Sequence, residues 1–378
     1  MINVQTNFPV AFDEEFLGSV SVRNIALDPF FGWQHTNINP LIIAKIAFLA
    51  QTAAFEGGWL DREGGNFFQL SKYESEPLHT EEAMKAAEAR ATTEFSTVFV
   101  VSMEAKLNQA ANLSLRRRPA ASMRLFVVHC GQSSFTLHTE LECDGEHLGS
   151  VTMSFVHVDF STRRPAPIPA AKKELLASAV QSVIAAPAYA ALATPLPRIA
   201  LPKLVAEMSQ TSDFAMWEKR FVLRQSDFDF NLHLNQSMYQ VFALDALKEA
   251  ATEWAMKHDA TVAATGVTNP GDHWMEIFCN RWREAPHSVE QHTLRLDSAV
   301  DALRIDYTQE IRMPSRKASS GDSDDKGAIP TTGQPPCVVS RVAPLREPAG
   351  MFLFTIALDT DSPSVIRAFG TVQISEAA

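Results

Sequence analysis

The pattern of apolar and polar residues divides the chain into two halves with the same order of elements. In the first half, a strand is predicted over 16–27, and a polar turn follows it. Apolar residues then recur every three to four positions from Pro40 to about Trp59, which predicts an amphipathic helix. Alternating, β-rich runs predict four strands after this helix, at 95–106, 123–130, 134–143 and 149–160.

The second half repeats this order. A strand is predicted over 219–225, and a helix follows from about Ser237 to His258. Further strands are predicted at 273–283, 290–296, 303–312, 351–358 and 365–374. One helix followed by an antiparallel run of strands, twice over, predicts an α+β fold and not an alternating βαβ fold.

Composition marks the boundaries between these regions. The chain has 378 residues, which is longer than one core usually supports, so two domains are expected. We place the domains at 1–169 and 215–378, joined by an alanine- and proline-rich linker at 170–214 that contains some helix. The segment 314–336 has almost no apolar residues and is predicted to be a disordered insertion.

Charge and cysteine content narrow the class of protein. The net charge of −11 argues against nucleic acid as a partner, and no apolar run is long enough to span a membrane. The four cysteines form no C-x-x-C pair and have no metal-ligand spacing with histidine, so we expect free thiols in a reducing compartment and no metal. The cytoplasm is the expected location, with a divergent mitochondrial leader as the alternative, since the N-terminus resembles neither a secretory signal nor a typical transit peptide.

The stretch 227–239, DFDFNLHLNQSMY, holds the densest group of polar side chains next to a predicted helix. Asp229, Asn231 and His233 are spaced by two, so on an extended segment they point to the same side. Burying such groups costs free energy, and the start of a helix favours negative charge. Aspartate and asparagine also serve as ordinary helix caps, and Asn235 suits that role.

This stretch resembles the D-x-D-x-N-x-H-x-N-N-x-x-Y signature of acyl-ACP thioesterases and of the related 4-hydroxybenzoyl-CoA thioesterase-like proteins. Gln236 departs from the signature, because the family usually has a second asparagine there. Downstream, Glu284 lies in a segment similar to the family's aromatic-Arg-Arg-Glu motif, which supplies a carboxylate to the site. Ala285 replaces the cysteine of plant-type members, which disfavours a cysteine nucleophile at this position.

The first half carries a weaker copy of the signature. His35 and Asn37 reproduce its His-x-Asn pair before the helix that begins near Pro40. Trp33 stands where an asparagine is expected, and no glutamate corresponds to Glu284. The resemblance therefore implies a tandem, or double, hotdog fold with the better-preserved site in the second half. In a hotdog domain an antiparallel sheet wraps a long central helix.

The resemblance also implies the chemistry. Two facing hotdog units hold an acyl chain between them, and the substrate would be a thioester of CoA or of acyl carrier protein. Glu284 or Asp229 would be the general base, and the sequence leaves this choice open. His233 would hydrogen-bond the nucleophile or the carbonyl, and Asn231 would position water.

The remaining site assignments follow from the same resemblance. Asn235, Tyr239, His35 and Asn37 are expected to contribute to substrate binding, and Tyr239 also suits a place in the core or a pocket wall. No cofactor is expected. A homodimer is one option for the assembly, which the sequence leaves open.

Two other activities are compatible with a hotdog fold. A catalytically inactive double hotdog that binds acyl groups or a protein partner is the main alternative, because the first half is degenerate. A dehydratase or hydratase is disfavoured, since those enzymes place Asn-Pro before the histidine, whereas here Asn39 and Pro40 follow His35.

Overall fold

The computed structural model describes the greater part of the chain and divides it into two compact units near residue 197. The described residues are 10–12, 18–26, 40–56, 58–60, 97–108, 120–159, 164–194, 196, 216–228, 233–265, 300–312, 336–344, 351–362 and 365–374. Within them, strands predominate, the strands of each unit pair in antiparallel fashion, and helices are few. The predicted α+β class is confirmed at this level.

The described residues of the first unit form six strands and two helices. Its elements are β1 (Val10–Phe12), β2 (Ser19–Ala26), α1 (Pro40–Glu56), β3 (Thr97–Leu107), β4 (Ala120–Cys130), β5 (Ser134–Cys143), β6 (Glu146–Val158) and α2 (Ala170–Ala185). The strands follow the order β1-β2-β4-β5-β6-β3 in the sheet. The predicted helix from Pro40 and the four strands after it are therefore confirmed, with ends that differ by a few residues.

The helix α1 packs on one face of this sheet. Its Gln51 side chain donates a buried hydrogen bond of 3.1 Å to the Thr139 hydroxyl on β5. Thr139 pairs across the sheet with Leu125 of β4, so Leu125 lies on the face that α1 covers. A β-carbon at Gly149 on β6 would lie 2.8 Å from the Ile43 side chain and 2.5 Å from the Lys106 carbonyl oxygen, so this close packing requires glycine.

The opposite face of β4 is covered by α2. Phe126 and Val128 of β4 pack with Val183 of α2, and Tyr189 adds an aromatic contact to Phe126 with ring centroids 4.9 Å apart. Because residues 126 and 128 alternate with 125 and 127, this strand is buried on both faces. The region predicted as a linker with some helix thus contains a helix that contributes to the core of the first unit.

The hairpin between β5 and β6 follows its sequence signal. Cys143 pairs with Glu146, and the two residues between them, Asp144 and Gly145, have φ values of +50° and +80°. Two central residues with positive φ define the tight turn that Asp-Gly favours between antiparallel strands. The predicted turn is confirmed.

The second unit contains one described helix and five strands. These are β7 (Trp217–Val222), α3 (Gln236–Thr265), β8 (Val300–Tyr307), β9 (Cys337–Pro344), β10 (Met351–Leu358) and β11 (Ala368–Ile374). In the sheet the strands follow the order β8-β11-β10-β9-β7. The helix packs against β7, β9 and β10, and its residues Tyr239, Phe242, Ala243, Leu247 and Ala250 are buried at helical spacing.

Two sequence expectations for this unit need comment. The strand β9, which lies between β7 and β10, was not predicted, although Val338, Val339 and Val342 are buried in it. The strands predicted at 273–283 and 290–296 and nearly all of the insertion predicted at 314–336 lie outside the described residues. None of the described helices combines the length and apolar character that a membrane crossing requires.

Candidate active site

His233 lies on a short extended segment directly before α3. It forms an isolated antiparallel bridge with Arg312, and the next residue, Leu234, donates its N–H to the Ile311 carbonyl at 2.8 Å. Only 7% of the His233 surface is exposed. The chain segment that follows β8 therefore fixes the backbone on which this imidazole stands.

A carboxylate and a guanidinium lie beside this imidazole. The Nε2 atom of His233 is 3.7 Å from Oε2 of Glu310. Arg312 donates from Nε to that same Glu310 oxygen at 3.0 Å. An imidazole next to a carboxylate can exchange or hold a proton near neutral pH, so the three side chains form a candidate acid–base group.

The start of α3 is closed by Asn235. Its side-chain oxygen accepts hydrogen bonds from the Ser237 N–H at 3.0 Å and from the Ser237 hydroxyl at 2.9 Å. Its backbone N–H donates to the Asp227 carbonyl at 2.8 Å, and the Asp227 carboxylate accepts the Arg224 N–H at 2.7 Å. Asn235 is thus an N-cap, and its side-chain oxygen serves the helix.

Tyr239 connects the first turn of α3 to the segment that carries Glu310. Its hydroxyl oxygen accepts the Ile311 N–H at 3.2 Å in a buried position. The Tyr307 ring meets the Tyr239 ring edge-on, with centroids 5.3 Å apart. Burial raises the pKa of Tyr307 above its usual value, so this phenol stays protonated.

The backbone of Glu310 is supported from the other side by Arg367. This buried guanidinium donates to both Asp361 carboxylate oxygens, at 2.9 and 2.7 Å, and to the Gln309 side chain at 2.8 Å. It also donates to the Glu310 carbonyl oxygen at 3.4 Å. The Arg367 carbonyl in turn accepts the N–H groups of Thr308 and Gln309. The turn before β11 therefore holds the segment 308–310 in place.

Of the eight residues predicted for the site, the structure describes His233, Asn235 and Tyr239. Asp229, Asn231, Glu284, His35 and Asn37 lie outside the described residues, so their placement stays a prediction. Phe228 and Leu234, which lie on either side of positions 229–233, form an antiparallel bridge. Among the described residues, no three His, Cys, Asp or Glu side chains form a group that could hold a metal ion.

Sequence reasoning missed Glu310, Arg312 and Arg367. The alternation of Glu310 and Arg312 at the end of a predicted strand was visible, and it places both side chains on one face. That these side chains meet His233 depends on a pairing between segments almost 80 residues apart, which no local pattern specifies.

Comparison with known proteins gives similarity only at the level of solved structures. No family model matches the chain, and no curated protein matches it. A putative oleoyl thioesterase from Lactobacillus plantarum is 12% identical over 97% of this chain and 96% of that one, with a TM-score of 0.45. A 12:0-ACP thioesterase from Umbellularia californica is 11% identical over 96% and 100%, with a TM-score of 0.47.

An acyl-ACP thioesterase from Bacteroides thetaiotaomicron is also similar, at 9% identity over 95% of this chain and 97% of that one, with a TM-score of 0.44. At these identities and TM-scores the likeness establishes neither a family nor an activity. The functional argument therefore depends on this chain's own residues.

Proposed function

We propose that the protein is a thioesterase that hydrolyses a fatty acyl thioester of CoA or of acyl carrier protein to a free acid and a thiol. The observation that carries this proposal is the buried His233 imidazole, which lies 3.7 Å from the Glu310 carboxylate. It stands at the start of α3, within the stretch 227–239 that resembles the thioesterase signature. Burial of an imidazole and of a carboxylate costs free energy unless the two groups pair with each other or with other groups. Buried pairs of this kind concentrate at functional sites.

The fold we propose is a tandem pair of hotdog domains. Support comes from the order of elements, because each unit places one long helix, α1 or α3, before most of its strands. Each helix packs on an antiparallel sheet of its own unit. In the first unit, Gln51 of α1 makes a hydrogen bond to the sheet. In the second unit, the ring of Phe242 of α3 stacks on that of Phe221 of β7, with centroids 4.7 Å apart. The better-preserved site belongs to the second unit.

Hydrolysis needs an activated water, a polarised carbonyl and a stabilised oxyanion. In the proposed mechanism, Glu284 or Asp229 removes the proton from water, Asn231 positions that water, and His233 hydrogen-bonds the water or the carbonyl. Positioned acid–base groups of this kind contribute on the order of 10²–10⁴-fold to rate. Attack of the water oxygen on the carbonyl carbon forms the new C–O bond and the oxyanion. Collapse of this tetrahedral intermediate then breaks the C–S bond, and the proton taken from water passes to the departing thiolate.

The start of α3 can stabilise the oxyanion less than a helix end with free backbone N–H groups would. The N–H of Ser237 is occupied by the Asn235 side chain, and the N–H of Met238 by the Asn235 carbonyl. These two donors are not available to an oxyanion while the cap is in place. What the helix end supplies is its partial positive charge, worth about 0.3–1 kcal/mol near an exposed anion and up to about 2 kcal/mol when partly buried.

We assign substrate contacts to His35, Asn37, Asn235 and Tyr239, and the last two also have structural duties. The Asn235 side-chain oxygen caps α3, and the Tyr239 hydroxyl accepts the Ile311 N–H. Tyr239 would therefore present its ring, and Asn235 its amide nitrogen, to a ligand. These structural roles are also compatible with the alternative function, a catalytically inactive double hotdog that binds acyl groups or a protein partner.

Release of free thiol from a panel of acyl-CoA and acyl-ACP substrates separates these functions. We expect wild-type protein to release thiol above background, and His233→Ala and Glu284→Ala to lower kcat by about 100-fold or more. His147→Ala is the matched control, because His147 is an exposed histidine of the β5–β6 hairpin in the first unit. It should leave both kcat and the thermal midpoint unchanged.

The possible outcomes differ clearly. No thiol release by wild-type protein from any chain length rejects the thioesterase and leaves the binding module. Release that is unaffected by both substitutions rejects the assigned residues while the activity stands.

A further inference from the structure

We propose that Glu310 is a positioning residue that fixes the orientation and tautomer of His233, with Arg312 holding the carboxylate in place. This inference rests on the proposed function and adds a residue that the sequence motif does not contain. Glu310 lies 77 residues after His233, beyond the end of β8. Three independent features of the structure support the assignment.

The first feature is the register of the two backbone segments. His233 is bridged directly to Arg312 in an antiparallel pair, and Leu234 donates its N–H to Ile311. Side chains of residues two apart on an extended segment point to the same face, so Glu310 and Arg312 share a face. The diagonal neighbour of a bridged residue is within reach of long side chains. The pairing thus directs the Glu310 side chain towards His233.

The second feature is the sharing of one carboxylate oxygen. Oε2 of Glu310 accepts the Nε–H of Arg312 at 3.0 Å and faces Nε2 of His233 at 3.7 Å. The second distance is longer than a hydrogen bond, and contacts of this kind often tighten only when substrate is bound. The bond from Arg312 holds this carboxylate oxygen in place beside the imidazole.

The third feature is the rigid backbone beneath Glu310. Arg367, itself 5% exposed, donates to the Glu310 carbonyl oxygen and is held by both oxygens of Asp361. The Leu358 N–H donates to the same Asp361 carboxylate at 2.9 Å. A side chain can position another group only if its own backbone is fixed, and this arrangement fixes it.

The chemical consequence concerns the two ring nitrogens. A carboxylate at Nε2 favours the tautomer with hydrogen on that atom, so Nδ1 keeps its lone pair. Nδ1 can then accept a hydrogen bond from the attacking water, which a protonated imidazole cannot do. Among the described residues, Glu310 and Arg312 place a negative and a positive charge beside His233. A negative neighbour favours the protonated imidazole and a positive neighbour disfavours it, so removal of either charge should have opposite effects. The Asp227 carboxylate on the preceding turn is engaged by the Arg224 N–H.

The test compares Glu310→Gln, Glu310→Asp and Arg312→Gln with wild type in the full-length protein. The matched control is Glu218→Gln, because Glu218 also accepts an arginine Nε–H at 3.0 Å, from Arg341, but between β7 and β9. Thiol release is measured as kcat and KM across pH. The His233 pKa is measured by NMR of protein labelled at histidine, with the signal assigned through His233→Gln.

Loss of the negative charge in Glu310→Gln should lower the His233 pKa by about 0.5–1 unit and move the acidic limb of kcat/KM to lower pH. Its kcat should fall about 10- to 100-fold while KM stays within about twofold. Glu310→Asp should recover part of the loss. Arg312→Gln should move the pKa and the limb the other way, and Glu218→Gln should change neither.

If Glu310 had only a structural role, Glu310→Gln would lower the thermal midpoint, and Glu310→Gln and Arg312→Gln would not shift the pH profiles in opposite directions. The inference is overturned if the two charge-removing variants shift the His233 pKa in the same direction, or if Glu310→Gln behaves like Glu218→Gln. If wild-type protein releases no thiol, the proposed function fails, and the NMR titration still shows whether Glu310 and His233 are coupled. The two failures are therefore distinguishable.

Discussion

Replacing Tyr239 with phenylalanine removes a hydroxyl that accepts the Ile311 N–H at 3.2 Å. Ile311 is fully buried, so its N–H is left without this acceptor and without water. An orphaned buried backbone donor costs about 1–3 kcal/mol, and we expect about 1–2 kcal/mol because the bond is at the long end of the normal range. The ring itself stays, so no cavity forms.

The neighbouring Tyr307 provides a control with the same chemical change. Its hydroxyl is buried and, among the described residues, has no hydrogen-bond partner at proper geometry. The carboxamides of Gln236 and Gln240 lie close enough to oppose the rise in its pKa, which burial causes. Removing a buried, unpartnered hydroxyl relieves a desolvation cost, so Tyr307→Phe should be neutral or slightly stabilising.

The assay is thermal unfolding followed by calorimetry, together with hydrogen exchange at the Ile311 amide. For a unit of this size, 1 kcal/mol shifts the midpoint by about 2–4 °C, so Tyr239→Phe should unfold about 2–8 °C below wild type. Its Ile311 amide should also exchange faster. Equal midpoints for the two variants, or a larger loss in Tyr307→Phe, would refute the reasoning that the Tyr239 hydroxyl carries this contact.

Two further predictions concern strand packing and pH. In Gly370→Ala the new β-carbon would lie 1.9 Å from the Arg304 carbonyl oxygen, so β8 and β11 must separate. Thermal unfolding followed by circular dichroism should show a midpoint many degrees below that of wild type, or no folded protein. Gly145 lies at a turn with open space around it and has φ of +80°, so Gly145→Ala should lower the free energy of unfolding by only about 1 kcal/mol. A similar loss of stability in both variants would contradict the clash at Gly370. The His138 imidazole, whose Nε2 lies 3.8 Å from Oε1 of Glu140, holds the pKa of that carboxyl below its usual value. The contribution of this pair to stability is therefore present above the unfolded pKa of about 4.3 and is lost as pH falls through the folded value. Glu140→Gln should therefore lower the midpoint at pH 7 but not at pH 3, and a pH-independent difference would count against this pair.

The helices and the hairpin were predictable from sequence because their signals are local. Pro40 at the first turn and apolar residues at helical spacing gave α1, and Asp144-Gly145 gave the turn between β5 and β6. The length of α3 was underestimated at its C-terminal end, since the helix continues to Thr265. No breaker stands between the predicted end and that residue.

The strand β9 was missed because of its surroundings. It follows a long polar and proline-rich stretch, and its own sequence, CVVSRVAP, contains two charged or polar residues and a final proline. Its position between β7 and β10 buries even Ser340 completely. Tertiary pairing therefore outweighed the local composition.

In the candidate site, local spacing predicted a polar group at the start of a helix and included His233. It did not reveal that Asn235 and Tyr239 already serve the fold, because capping and ligand binding use the same residue types. The part that Glu310 takes in the site could not be predicted for a different reason. Its contact with His233 is set by the register between distant segments, which a single sequence does not encode locally.

The ion pair of Arg367 and Asp361 makes the free energy of local opening at the site different from the free energy of unfolding of the whole unit. Both residues belong to the connection between β10 and β11, so local opening of this hairpin would release the segment 308–310 while most of the sheet stays paired. Local opening and closing of the β10–β11 connection then determines how long the His233 imidazole and the Glu310 carboxylate stay aligned. On heating, the site should disassemble before the sheet melts.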